Sequence, residues 1–159
     1  MHAEAMEFLR RLTITGPVIE IGSRNVNGSA RDAFPGVLWR GIDTAEGDGV
    51  NIVGDVLNWW PETLDFISTV VCCEVLEHAE KWRDILRHVC EWEESITLVI
   101  TCAGPGRKPH SAIDGGPLRD GEYYQNISAE ELRAELIKAG FRTVYADQYG
   151  TDTRAIAIK

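Results

Sequence analysis

The chain has 159 residues, 44% of them hydrophobic and 26% charged, a length and composition that suit one soluble domain, residues 1–159, and leave no room for two of ordinary size. Sixteen Lys and Arg against 25 Asp and Glu give a formal charge of -9, which opposes the phosphate neutralisation that non-specific nucleic-acid binding needs. No apolar run approaches the roughly 20 residues of a membrane span, and residues 1–12 mix charged with apolar side chains where a signal peptide would be apolar, so a cytoplasmic location is expected.

In chain order, a helix is predicted over 3–12, within an N-terminal segment of residues 1–14, and a strand over 18–21. That strand runs through Glu20 into the turn Gly22-Ser23-Arg24-Asn25-Val26-Asn27-Gly28-Ser29. Gly22 tolerates positive φ and lacks a Cβ, while Gly28 and Ser29 open a short helix whose free N–H groups point back at a ligand. This is how open α/β sheets hold nucleotide-like molecules. Strands follow over 38–42, 51–53 and 69–73. A helix over 80–93 repeats Trp82, Ile85, Leu86, Val89 and Cys90 at helical spacing, and a strand over 96–102 comes after it. The Gly- and Pro-rich stretch 103–126 reads as one long functional loop beyond a strand's carboxyl end. A helix behind Ser128, which makes a capping box with Glu131, stops at Gly140, and strands over 142–147 and 154–158 complete the chain. Apolar strands alternating with helices predict a parallel sheet covered on both faces. Cys72, Cys73, Cys90 and Cys102 lack C-x-x-C spacing and read as buried free thiols.

Four acidic residues stand at or just beyond successive strand ends: Glu20, Asp43, Asp55 and Glu74. Asp43, in Gly41-Ile42-Asp43, lies about twenty residues past the glycine turn, where a carboxylate accepts both hydroxyls of an adenosine ribose. Asp55, in Gly54-Asp55-Val56, stands where it would receive the adenine amine. Each Asp taken singly is more often a turn or cap residue.

These segments, with Glu74-Val75-Leu76-Glu77-His78 and the run from Ser128 through Ala139-Gly140-Phe141, together resemble the class I S-adenosylmethionine-dependent methyltransferases, whose small-molecule enzymes often carry an E-V-L-E-H signature. The resemblance covers Val18 to Lys159. It departs from the family at the G-x-G-x-G turn, which here lacks its middle glycine and is lengthened, with Asn25 and Asn27 as the residues most tolerant of left-handed backbone. The resemblance implies an α/β, Rossmann-like, seven-stranded, mostly parallel sheet with helices on both faces and an antiparallel C-terminal hairpin. It implies S-adenosylmethionine as methyl donor and a small-molecule, sugar or protein side-chain acceptor, with nucleic acid disfavoured. By the same resemblance Glu20, Gly22 and Ser23 hold the methionine end, Asp43 the ribose, Asp55 with Val56 the adenine, and Glu74 borders the transferable methyl. Displacement at a sulfonium has a good neutral leaving group, so the protein must chiefly align the nucleophile and manage its proton. No metal is expected.

On the acceptor side, His110 in the long loop is the preferred candidate base and His78 the second, although a loop histidine is more often solvated and His78 suits a structural role. Tyr123 and Tyr124 wall the acceptor pocket or anchor the loop, Trp59 or Trp60 covers the adenine or simply packs, and His88 reads as surface. With 103–126 as the only inserted segment, the acceptor site is either shallow or completed by a second subunit, the latter making a homodimer possible. Two readings compete: a non-catalytic S-adenosylmethionine-binding module, and a nicotinamide-dependent oxidoreductase, against which stand the missing G-x-G-x-x-G and the E-V-L-E-H segment.

Overall fold

In the computed structural model, which describes residues 3–61 and 67–159, seven strands join one sheet. They are β1 (Val18–Ile21), β2 (Trp39–Asp43), β3 (Ile52–Val53), β4 (Thr69–Cys73), β5 (Thr97–Ala103), β6 (Thr143–Tyr149) and β7 (Asp152–Ile158), in the order β3-β2-β1-β4-β5-β7-β6. The first five run parallel, and β7 lies antiparallel between β5 and β6. Each strand falls within two residues of its predicted bounds. Met1 and His2 of the expected N-terminal segment lie outside the described residues.

The central strands are apolar on both faces because both are covered. Val70 and Cys72 of β4 join Ile19, Leu98 and Ile100 beneath α2 (Trp82–Trp92) and α3 (Ala129–Ala139), while Val71 and Cys73 join Val18 and Val99 on the opposite face, with Phe8 and Leu9 of α1 (Ala3–Arg10). The predicted stripe on α2 is buried, with Trp92 added to it. Ser128 caps α3, its Oγ accepting from the Glu131 N–H at 3.1 Å, and the Glu131 carboxylate pairs with Arg83, which ties α3 to α2. All four cysteines are free and buried.

The short helix expected after Ser29 is a single 3-10 turn, Ala30–Ala33. Ser29 caps it, its Oγ accepting from the Arg31 N–H at 3.2 Å. Pro35 then holds Phe34 out of helical geometry, at φ -135 and ψ 68, so no second turn can follow.

Candidate active site

A cleft of about 1120 Å³ opens at the carboxyl ends of β1, β2, β3 and β4, the edge at which open parallel sheets receive ligands. Glu20, Gly22, Ser23, Asp43, Asp55, Val56 and Glu74 all line it, and so do His78 and His110. Trp59 and Trp60 do not. Trp59 stands edge-on to Trp92 at 5.4 Å and Trp60 to His88 at 4.6 Å, and Leu57 is the residue that follows Val56 in the cleft wall. His88, expected at the surface, is half-buried among these indoles, with Nε2 2.8 Å from the Trp59 carbonyl oxygen.

The glycine turn is built around steric need. Gly22 has φ +71, and a Cβ there would lie 2.1 Å from a Val75 methyl. A Cβ on Gly41 would strike Ser23 Oγ at 2.4 Å and the Gly49 carbonyl at 2.3 Å, so that glycine lets the turn close over β2. The turn's N–H groups are largely spent inside the protein. Gly22 and Ser23 donate to the Ile42 carbonyl, Arg24 to Asp43 Oδ2 at 3.0 Å, Asn25 to the Asp48 carbonyl and Gly28 to Asn25 Oδ1. The lengthened turn therefore shapes room for a ligand more than it offers donors at these positions.

Its carboxylates are held in place. Asp43 accepts from Arg24 N–H through one oxygen and from Ala45 N–H through the other, both at 3.0 Å, which fixes its plane and leaves acceptor capacity on each oxygen. Asp55 is both a cleft residue and a cap: its Oδ1 accepts from Leu57 N–H at 2.9 Å and starts the 3-10 turn Val56–Asn58. Glu20 is buried and paired with Arg31, Nε to Oε2 3.0 Å, and Arg31 also donates to the Gly49 carbonyl. Burial pushes the Glu20 carboxyl above its ordinary range despite that pairing.

At the end of β4 the chain strains. Glu74 has φ 58, the one non-glycine positive φ among the described residues, a conformation that costs about 1–2 kcal/mol. Its side chain is tied down by Thr101 Oγ1 at 2.9 Å and by Arg107 Nη2 at 3.0 Å, and Arg107 also pairs with Asp152. The left-handed turn lifts Val75 over Gly22 and sends Glu77 into the interior. Glu77 is fully buried, accepting from Ala103 N–H at 3.1 Å, and burial, reinforced by the charge of Glu74, raises its carboxyl well above the ordinary range. Burial, then the charge of His110, lowers His78 to about 4, so its ring is neutral near pH 7.

The loop after β5 covers the cleft. Arg24 donates to the carbonyls of Ala112 and Ile113, at 3.3 and 3.4 Å, and Asn27 to that of Asp114 at 3.4 Å, so the glycine turn and the loop clasp one another. His110 meets His78 edge-on at 4.9 Å, and Tyr124 stands against both rings, at 5.1 and 5.4 Å. The Tyr123 hydroxyl donates to Gln125 Oε1 at 2.6 Å, a bond within the loop. Arg24, Arg107 and Glu77 carry much of this geometry and have no signature in the sequence beyond their neighbours: two are basic residues in irregular segments, and the third is a motif carboxylate whose burial only the fold reveals.

No protein-family model and no curated protein matches the sequence. Solved structures match nearly all of it. An S-adenosylmethionine-dependent methyltransferase from Mesorhizobium loti superposes with a TM-score of 0.70 at 14% identity, over 99% of this chain and 98% of that one. The fold is that of the class I methyltransferases. The 1,6-didemethyltoxoflavin-N1-methyltransferase of Burkholderia thailandensis, solved with its namesake compound and S-adenosylhomocysteine, gives 0.70 at 14% identity over 98% of this chain and 76% of that one. DhpI in complex with S-adenosylhomocysteine gives 0.68 at 17%, over 96% and 81%. Against three longer neighbours with the class I fold, this chain spans 53, 56 and 53% of their lengths.

Proposed function

We propose that this protein transfers a methyl group from S-adenosylmethionine to a small-molecule acceptor. One observation carries the reading: Gly22, Asp43, Asp55 and Glu74, far apart in sequence, rim a single cleft at the ends of four adjacent parallel strands. In this reading the Glu20–Arg31 pair and the turn at Gly22 and Ser23 frame the methionine end, Asp43 takes the ribose hydroxyls, Asp55 and Val56 receive the adenine, and Glu74 borders the methyl. His110 and His78 face the acceptor's proton-bearing group.

At about 1120 Å³ the cleft stands at the upper end of the roughly 300–1,000 Å³ typical of a small-molecule pocket, and the loop after β5 lines it opposite the carboxylates. Val26 and Ile113, both partly exposed at its rim, offer an acceptor apolar contact. The structural neighbours named above include one solved with a small-molecule compound and S-adenosylhomocysteine together.

Calorimetry with S-adenosylhomocysteine tests the reading, together with transfer of tritiated methyl to a panel of small acceptors. Binding is expected, and Asp43→Ala should weaken it about tenfold or more, equivalent to about 1.4 kcal/mol, because the truncation removes the ribose acceptor while touching only loop N–H groups. Absence of binding by the wild-type chain would sink the proposal. Binding without transfer to any acceptor would favour the storage module, and binding of a nicotinamide cofactor instead would favour the oxidoreductase.

A further inference from the structure

Glu77 and His78 sit on the 3-10 turn after β4, and His110 reaches them from the loop after β5. One potential ligand atom from each of the three lies within 4.8 Å of the other two. Two shielded atoms in this group have no hydrogen-bond partner, Glu77 Oε2 and His78 Nδ1. Orphaned buried polar atoms of this kind cost about 1–3 kcal/mol each and call for an explanation. Two other atoms of the group are held from behind, as the outer contacts of metal ligands are. The other oxygen of Glu77 accepts from Ala103 N–H at 3.1 Å, and Nδ1 of His110 lies 3.2 Å from the Lys108 carbonyl oxygen, an arrangement that leaves Nε2 with its lone pair outward. Glu77 is fully buried, while His78 and His110 line the cleft.

We propose that Glu77, His78 and His110 bind one divalent first-row transition-metal ion whose open positions face the acceptor side of the cleft. Two imidazoles and one carboxylate suit zinc, cobalt, nickel, iron or manganese better than calcium or magnesium. Three protein ligands with open positions are the pattern of a catalytic metal site, whereas structural zinc sites are closed by four. This inference rests on the methyltransferase reading for its chemistry and narrows it to a hydroxyl acceptor. A metal-bound hydroxyl loses its proton to solvent more readily than a free one. Its oxygen then bonds to the methyl carbon of S-adenosylmethionine as the carbon–sulfur bond breaks and its electron pair returns to sulfur, giving a methyl ether, S-adenosylhomocysteine and a proton. The two histidines thus act through the ion and not as bases.

Titration of the metal-stripped full chain with Co²⁺, read by its visible d–d bands, tests the site. Saturable binding of one ion per chain is expected. His78→Ala and His110→Gln should each weaken it about tenfold or more, and His88→Ala, outside the cleft, should leave it unchanged. Acetohydroxamate, a small oxygen chelator, should shift the bands by entering the open positions. No saturable binding, equal binding in the His110→Gln and wild-type chains with both melting alike, or bands blind to acetohydroxamate would each overturn the proposal. Calorimetry of S-adenosylhomocysteine on the same stripped chain separates the two readings. Cofactor binding without Co²⁺ binding removes the metal and keeps the methyltransferase, and the reverse result removes the methyltransferase.

Discussion

At the scale of single residues, the site depends on backbone conformations that only certain side chains allow. Gly22 meets two demands, a positive φ and a methyl of Val75 where its own Cβ would stand. Gly22→Ala is therefore expected to cost about 2–4 kcal/mol, the sum of left-handed strain and overpacking, measured as a lower urea midpoint with an unchanged slope. A loss below half a kcal/mol would mean that Val75 simply moves aside. The need for Gly22 was legible in the sequence because glycine announces its own freedom. Glu74 was legible as a residue at a strand end facing the cleft but not as a strained one, since nothing in a glutamate signals φ 58. The burial of Glu77 was equally silent. Its position in E-V-L-E-H says that it follows a strand, whereas its orphaned oxygen follows from where the turn aims it.

Secondary-structure elements were the most legible level, and their errors have local causes. Strands apolar on both faces announce themselves by long runs of Val, Ile and Cys, while their ends depend on pairing with neighbours and so drift by a residue or two. The short helix after Ser29 forms where it was expected, as one 3-10 turn that ends at Phe34 because Pro35 follows it. Ser128→Ala on α3 should lower stability by about 1 kcal/mol, seen as a lower denaturation midpoint, because it removes the acceptor for the Glu131 N–H. The β6–β7 hairpin makes a pH prediction. Asp147 and Arg154 stand directly opposite each other and form two hydrogen bonds, which hold the Asp147 carboxyl below its ordinary range, with coulombic attraction adding to the effect. Below the ordinary carboxylate pKa of about 3.9 the unfolded chain takes up this proton before the folded one does, so the pair's contribution is complete above about pH 4 and is lost as pH falls through the lower folded value. Asp147→Asn should cost about 1 kcal/mol at pH 7, and acid titration of both proteins should bring their stabilities together. A difference that persists at the acid end would assign the loss to packing.

Over the whole molecule, ligand binding and loop closure are one question, because the glycine turn and the loop after β5 hold each other through Arg24 and Asn27. Arg24→Ala should increase amide exchange across 111–116 while shifting the melting temperature only slightly, since its bonds are long and exposed. Unchanged exchange would show that the loop is held by its own contacts. S-adenosylhomocysteine at 100 times its dissociation constant should add about 2.7 kcal/mol of stability, and exchange in both segments of the clasp should slow together. Sequence reading located the cleft because strand ends can be ordered along a chain; the clasp was hidden because Arg24 and Ile113 meet only after the sheet has formed.

β7 enters the sheet against the direction of β5, so its first residue, Asp152, arrives at the edge where the parallel strands finish. There it pairs with Arg107, which in turn grips Glu74. A ribosome making this chain releases the glycine turn, Asp43, Asp55 and the E-V-L-E-H segment long before it releases Asp152. Nascent domains begin to fold from the N-terminus, yet the Glu74 end of this cleft lacks one of its anchors until the closing hairpin has emerged. That end of the site is therefore complete only once β7 has joined the sheet, and a chain stopped before β7 would hold the cleft residues without the contact that locks Arg107.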